Sequence, residues 1–385
     1  MPVSPRPTPD PSPAGSLLWT AALGATLLAI AAAQRRRPVD GDDDGPDPSP
    51  RREPAGGARS YEGRTAEWVA HTQADRGRAA KNPTDIPAPG WRDIAYRIYQ
   101  EFLKDRVLSV AAGVTFYTLL SLFPAIAALV TCYGLFADVG SINEHLSAMQ
   151  GVLPSGAIDI IGEQVKRIAS KPSGTLGLTF FTTLLISIWS ANAAMKAMFD
   201  ALNVVYEEEE KRNLFWLNVR SLTFTVGALV FIILALSAIV VLPVVFNFLG
   251  FGDGAWLIAM LRWPGLLAVL LGGLAVLYRY GPSREEARWR WVGIGSAVAG
   301  LLWLVASILF SYYVSNFGNY NETYGSLGAV IGFMTWIWIS ATIVLVGGEI
   351  NAEVEHQTAH DTTTSPERPL GQRGARMADT VGAPA

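Results

Sequence analysis

WVGIGSAVAGLLWLVASILFSYYVS, residues 291–315, runs without a single charged side chain. About 20 such residues are enough to cross a bilayer as a helix. In lipid no water is available to a backbone N–H or C=O, so a run of this length closes its hydrogen bonds internally. Working outward, this run belongs to an apolar segment near 289–315. Five others resemble it, near 107–137, 176–204, 215–249, 255–280 and 323–350. Strands of a membrane barrel would be about 10 residues long and alternate in polarity, a pattern these segments lack. The sequence therefore predicts an all-α, polytopic membrane helix bundle with six core transmembrane helices.

The composition agrees. Of 385 residues, 50% are hydrophobic and 16% charged, and the mean hydropathy is +0.27. A soluble domain carries about 25% charged residues. The net charge of −3 is too small to suggest a nucleic-acid partner. The single cysteine, Cys132, excludes an intrachain disulfide.

Orientation follows from the connections, because cytoplasmic loops carry the Lys and Arg. Residues 35–106 are rich in both. Lys211 and Arg212 follow the second apolar segment, with Arg220 just inside the third. Arg279, Arg284, Arg288 and Arg290 sit around the fourth gap, and Arg368, Arg373 and Arg376 lie in the tail. The gaps at 246–255 and 316–322 have none, and the longer first gap has only Lys166, Arg167 and Lys171. The alternation places both ends of the six-helix core in the cytoplasm.

Four regions result. Residues 1–34 form a tail and a short apolar stretch, Leu17 to Ala33, which reaches about 25 Å at 1.5 Å per residue. A cleaved secretory signal is one reading of it. A spanning anchor is preferred, because Arg35, Arg36 and Arg37 follow the apolar stretch instead of preceding it. Residues 35–90, with Asp42-Asp43-Asp44 and many Pro and Gly, read as a disordered cytoplasmic tether. The membrane domain covers 91–353. It opens on a helix at 91–104, where Trp91, Ile94, Ile98 and Phe102 share one face; that helix lies either in the membrane interface or docked on protein. Ile158, Ile161, Val165 and Ile168 give an external amphipathic helix near 155–170. Residues 354–385 read as a disordered cytoplasmic tail.

Several polar constellations stand inside or beside the apolar segments. Asn192, Lys196, Asp200 and Asn203 recur at steps of four, four and three, one stripe of a helix. A charge at mid-bilayer costs about 2.5–3.5 kcal/mol on insertion scales, so the stripe faces a partner or a wet cavity, or else Lys196 and Asp200 lie near the surface and pair. Arg262 either snorkels outward or holds an anionic headgroup. Asn316 and Tyr320 form a loop turn or a gate at the external mouth. Glu349 either faces the bundle, binding a cation or proton, or marks the cytoplasmic boundary. Pro124 and Pro243 are expected to kink their helices. Ser307 and Ser311, and Gly325, Gly328 and Gly332, are expected to pack helices closely.

Neither a phosphate-cradling Gly loop with its Lys nor a Gly-x-Ser-x-Gly elbow is present. His356 and His360 are four apart with Glu353 nearby, but they fall where the last helix gives way to a Thr-rich tail. No catalytic residue, metal site or cofactor is expected.

Between Asp105 and Glu353 the chain resembles the YihY/BrkB family of bacterial inner-membrane proteins. The resemblance rests on Ala111-Ala112-Gly113-Val114-Thr115-Phe116-Tyr117, continuing to Ser121-Leu122-Phe123-Pro124, and on Trp189-Ser190-Ala191 with Ala201-Leu202-Asn203. Leu261-Arg262-Trp263-Pro264, Tyr278-Arg279-Tyr280-Gly281-Pro282, Tyr313 to Ala329, and Gly348-Glu349-Ile350-Asn351-Ala352-Glu353 complete it. It implies a multi-pass plasma-membrane protein with six spans and a cytoplasmic C-terminus. It also implies a virulence-factor label and an older ribonuclease label, for which this chain lacks nuclease residues. The expectation is a transporter or lipid/amphiphile translocase, with a non-transporting scaffold as the alternative and a ribonuclease third. Membrane lipids are the expected partners, and a homo-oligomer is compatible with the bundle.

Overall fold

The computed structural model describes residues 69–71, 73–133, 178–248, 255–317, 326–364 and 366–385. Of the two units into which the chain divides, Met1–Gly56 and Gly57–Ala385, all of these belong to the second. The anchor at 17–33, the tether as far as residue 68, the external helix near 155–170, Tyr320 and Gly325 lie outside them.

Most of the described residues are helical; the connections and the tail after Glu355 run as turns and coil, with one isolated antiparallel bridge between Ala287 and Thr363. A first helix, α1 (Ala88–Lys104), has Pro87 before it and Pro at its start, where the missing N–H costs no helical bond. Six long helices follow: α2 (Val107–Tyr133), α3 (Leu178–Val205), α4 (Leu214–Phe248), α5 (Ala255–Tyr280), α6 (Trp289–Phe317) and α7 (Ser326–Glu355). A single turn, α8 (Arg376–Asp379), lies near the end. Stretches of four helices, Val107–Ile126, Leu214–Ala235, Trp289–Val314 and Val330–Glu355, are long and apolar enough to cross a membrane, and Pro264–Tyr280 is a shorter apolar stretch.

Each long helix packs on the next, and α7 returns to α2, so the six close into a ring. The last helix is the hub: α7 touches α1, α2, α3, α5 and α6. One interior cluster joins Val107, Ala111 and Val114 of α2 to Leu202 and Val205 of α3, Tyr278 of α5, Ala299 of α6 and Leu345 of α7. The outside is apolar too. Phe181, Leu185 and Ile186 on α3, Leu234 on α4, and Leu301 and Ile308 on α6 are all exposed. Water would penalise such a surface; lipid would not.

Helices α6 and α7 cross at close range. A Cβ added at Gly295 would collide with the carbonyl of Gly347 and with Asn351. One added at Gly347 would collide with the Tyr278 hydroxyl and come within 2.7 Å of Ala299 Cβ. Asn351 seals the crossing, accepting from the Gly295 N–H at 2.8 Å and donating to the Val292 carbonyl at 3.2 Å. The positions expected to pack closely do so less. Open space surrounds Gly332, Ser311 is exposed and Ser307 is half-buried, while Gly328 is buried.

The polar segments depart from expectation as well. Residues 73–90 and 355–385, read as disordered, fold into a cap over one end of the bundle. Val69, Ala359 and Val381 share a small core, and Met377 and Ala378 are buried. The physical reason is that buried arginines satisfy backbone carbonyls, so few apolar side chains are needed. Arg78 donates to the carbonyls of Gln357 (3.1 Å) and Gly382 (2.6 Å). Arg373 donates to those of Ala359 (2.8 Å) and Ala378 (2.7 Å). Helix α1 docks on protein: Trp91, Ile94 and Ile98 pack with Trp291, Ile350 and Val354. Its Arg97 reaches Glu353 and Gln357, leaving Tyr96, Tyr99 and Leu103 exposed.

Candidate functional site

The helical spacing that aligns Asn192, Lys196, Asp200 and Asn203 on α3 leads them to separate environments. Asn192 is 0% exposed and accepts a hydrogen bond from the Thr225 hydroxyl of α4 at 3.0 Å. Its Nδ2 meets no acceptor. Half-buried Lys196 holds its Nζ 5.5 Å from the centre of the Trp189 ring, an attraction between a cation and the ring's negative face. Asp200 is exposed. Asn203 is buried at the cap, accepting from the Ser283 N–H at 2.7 Å and donating to Glu210 at 3.2 Å. The stripe thus has an inner member in the bundle and a lower member that fastens two loops.

A feature the sequence reading missed lies one turn from Asn192. Ser121 of α2 is buried, and its Oγ accepts the N–H of Ala194 at 3.2 Å and donates toward the carbonyl of Ser190 at 3.5 Å. Those two groups are the pair that closes one helical turn of α3. A side chain wedged into an i→i−4 ladder loosens the helix there. Three residues on, Pro124 lies inside α2, and proline removes a ladder bond from its own helix. The serine that competes for a turn of α3 and the proline that interrupts the bonding of α2 therefore sit three residues apart on α2. The motif Ser-Leu-Phe-Pro is visible in the sequence; the partner of its serine is not.

Glu349, on α7, is 0% exposed, and neither carboxyl oxygen meets a hydrogen-bond donor. Of its alternatives, the structure places it facing the bundle. Pro243, Arg262 and Asn316 fall within α4, α5 and α6; Tyr320 lies outside the described residues.

The cap holds charged pairs that sequence reading assigned only to loops. Arg284 Nη2 stands 2.6 Å from Glu355 Oε2 with both side chains buried, and its guanidinium lies 5.0 Å from the Tyr206 ring. Thr362 donates to the same carboxylate at 2.9 Å. Burial works against the Arg284 charge, but Glu355 outweighs it and the guanidinium is held above its ordinary pKa. Arg212 grips Glu210 with two nitrogens at 2.7 Å and donates to the Gly281 carbonyl at 2.9 Å. Burial would raise Glu210, yet the Arg212 contacts bring it down to about 2. Arg279 lies over Tyr280 and Trp289, at 5.2 and 4.7 Å. The Arg-rich connections after α3 and α5, the segment before α1 and the tail meet at the same end of the bundle. Lys211 N–H bonds Ser283, Arg376 N–H bonds Glu208, and Arg288 N–H bonds the Thr362 carbonyl.

Among the described residues no group of three His, Cys, Asp or Glu is placed to hold a metal ion. Comparison with known proteins gives a consistent picture. A ribonuclease-like protein, YfkH, of Bacillus subtilis is 31% identical over 255 residues, covering 63% of this chain and 88% of that one. A UPF0761 membrane protein of Rhodospirillum centenum is 26% identical across 69% of this chain and 58% of its own length. Another, from Verminephrobacter eiseniae, is 27% identical across 70% and 63%. The chain thus spans about three fifths of these two membrane relatives. No solved structure matches. The virulence factor BrkB family matches residues 98–371, which takes in the whole helical ring, the Ser121 wedge and the Arg212–Glu210 and Arg284–Glu355 pairs of the cap. The chain belongs to the virulence factor BrkB family of membrane proteins.

Proposed function

We propose that the protein is a multi-pass plasma-membrane translocase that moves lipids or other amphiphiles across the bilayer. Its six long helices each span, and the charged cap faces the cytoplasm together with the C-terminus. The positive charge of the connections at that end supports this orientation. The observation that carries the reading is the seam between α2 and α3. The Ser121 wedge and Pro124 fall together there, and the unpartnered amide of Asn192 lies on the opposite face of the same α3 turn, beside Thr225 of α4. A headgroup crossing the bilayer needs polar contacts and a helix pair that can part. A buried amide with a spare donor, and helix bonding that Ser121 and Pro124 disturb, supply both.

The test is transfer of labelled lipids across proteoliposomes, over a panel of zwitterionic, anionic and glycosylated headgroups. Wild type is expected to move at least one class faster than empty vesicles. Equal rates for every headgroup, with protein shown to be folded, would defeat the reading.

A second reading is a membrane scaffold, favoured by the cap, whose buried arginines order the segment before α1 and the tail around the end of α7. It predicts no transfer, with partner recruitment lost when the cap is disrupted. The ribonuclease-like name belongs to the Bacillus relative, and this chain, purified free of contaminating nuclease, is expected not to cleave RNA.

A further inference from the structure

A carboxylate sealed in protein without a donor or a cation is among the costliest arrangements a fold can hold, and in practice the group takes up a proton instead. Glu349 is in that position. Its surroundings show why no cation compensates it. From α1 comes Glu101, from the α1–α2 turn Asp105, from the segment after α3 Tyr206 and Glu207, and from α7 itself Glu353. Around these carboxylates stand Arg97 and Lys104 of α1, Arg376 of α8 and His356, while Tyr278 of α5 adjoins Gly347. Helix α2 carries no charged residue, and Arg290 of α6 is occupied with Asn82. The cations at this end are engaged elsewhere or, like Arg106 beside Asp105, exposed to solvent. Lys104 bridges Glu101 and Glu207, each at 2.7 Å. Arg97 is bound to Glu353, Arg376 reaches Glu207 at 3.6 Å, and His356 lies 3.7 Å from Glu353. Tyr278 donates its hydroxyl proton to the Val344 carbonyl.

What remains beside Glu349 is another acid. The Asp105 carboxyl is within hydrogen-bonding reach of it. Two ionised carboxylates cannot make that bond, because neither has a donor; with one proton between them they can. Asp105 is only half-buried, so it gives the inner carboxyl a route to water.

We propose that Glu349 and Asp105 form a proton-binding site at the capped end of the bundle, holding one proton between the two carboxyls and exchanging it with water through Asp105. The proton sits on the hub helix, beside the turn that joins α1 to α2. Its loss leaves two negative charges in contact there, which favours separation of α7 from that turn. Burial and the Glu101 charge support the site by raising Asp105 to about 7, so exchange falls in the physiological range. Like-charged neighbours titrate as a pair, and the pair, not either residue, owns the midpoint.

Infrared difference spectroscopy of the full chain in nanodiscs, titrated between pH 5 and 9 in potassium and in a large organic cation, reads the site directly. Wild type is expected to show a protonated-carboxyl stretch that disappears near neutrality, with release of about one proton per chain. Carbon-13 labelling of glutamate is expected to shift part of that band, which assigns that part to a glutamate carboxyl, and the E349Q variant identifies which one. E349Q is expected to remove the labelled part and to strengthen Asp105 as an acid by about tenfold, one pH unit. D105N is expected to leave Glu349 protonated at pH 8. Absence of the band at pH 5 would overturn the proposal, as would a band insensitive to glutamate labelling. A band seen only when potassium is withdrawn would replace the proton with a metal cation. These readouts need no transported solute, so the site stands or fails apart from the translocation reading.

Discussion

Arg284, in the turn between α5 and α6, and Glu355, the last residue of α7, meet at 2.6 Å with their side chains 1% and 0% exposed. The contact ties that turn to the hub helix. Removing one member of such a pair strands the other charge. R284A or E355A is therefore expected to destabilise the cap by about 3–5 kcal/mol. Replacing both with apolar residues of similar size is expected to recover most of that loss. Thermal unfolding of the purified protein in detergent, read for both single variants and the double variant, checks the pattern; a double variant as unstable as the sum of the singles would contradict it.

The α6–α7 crossing has no room for a methyl group at Gly347 or Gly295, where backbone and the Tyr278 hydroxyl already stand. G347A and G295A are each expected to cost about 1–3 kcal/mol, the usual penalty for overpacking. G332A, with open space around it, is expected to be neutral or slightly stabilising, since alanine is the better helix former by about 1 kcal/mol. The contrast is measurable as the order of melting temperatures within one preparation.

Asp105 is raised to about 7, first by burial and then by Glu101, so the folded protein binds its proton more tightly than the unfolded chain does. Stability from this group is complete below the ordinary Asp value of 3.8 and is lost as pH rises toward 7. D105N is accordingly expected to melt higher than wild type at pH 8 and equally at pH 4. A gap that widens on acidification would have the wrong sign.

S121A deletes the hydroxyl that bonds the Ala194 N–H and the Ser190 carbonyl and leaves those two groups to each other. It is expected to leave folding intact and to slow lipid transfer several-fold in proteoliposomes. S121T, which keeps a hydroxyl, is expected to retain more activity than S121A. Equal transfer by all three proteins would separate the wedge from translocation.

Orientation is tested by single cysteines placed on a Cys132→Ser background. The 279–290 turn is expected to react with a membrane-impermeant thiol reagent only in opened cells, and the 316–322 turn in intact ones. Reaction of both from the same side would remove the six-span arrangement.

The helical ring was legible because lipid imposes one local rule on every residue of a span, so the rule shows in sequence as uncharged runs. The cap was not. Pro-, Gly- and Arg-rich composition ordinarily means too little apolar surface to order a chain. Here Arg78 and Arg97 order it through hydrogen bonds to carbonyls far away in sequence, those of Gly382 and Ala383, and Arg373 ties the tail to itself at Ala359 and Ala378. The candidate polar residues were legible as residues but not as partners. Steps of four and three predicted a stripe on α3, yet Asn192 answers to Thr225 and Asn203 to Ser283. The same limit hid the tight crossing. A Gly-x-x-x-Gly pattern drew attention to Gly328 and Gly332, while the contact that matters joins Gly295 and Gly347 on different helices, a pairing with no spacing to read.

The element that completes the circle, α7, is also the last long helix to leave the ribosome. Until it arrives, the faces of α2 and α6 that it will cover have no protein partner. Assembly therefore turns on a late insertion rather than on stepwise growth. Nascent chains arrested before residue 326 are expected to crosslink along those faces to lipids or to the insertion machinery, and full-length chains are not.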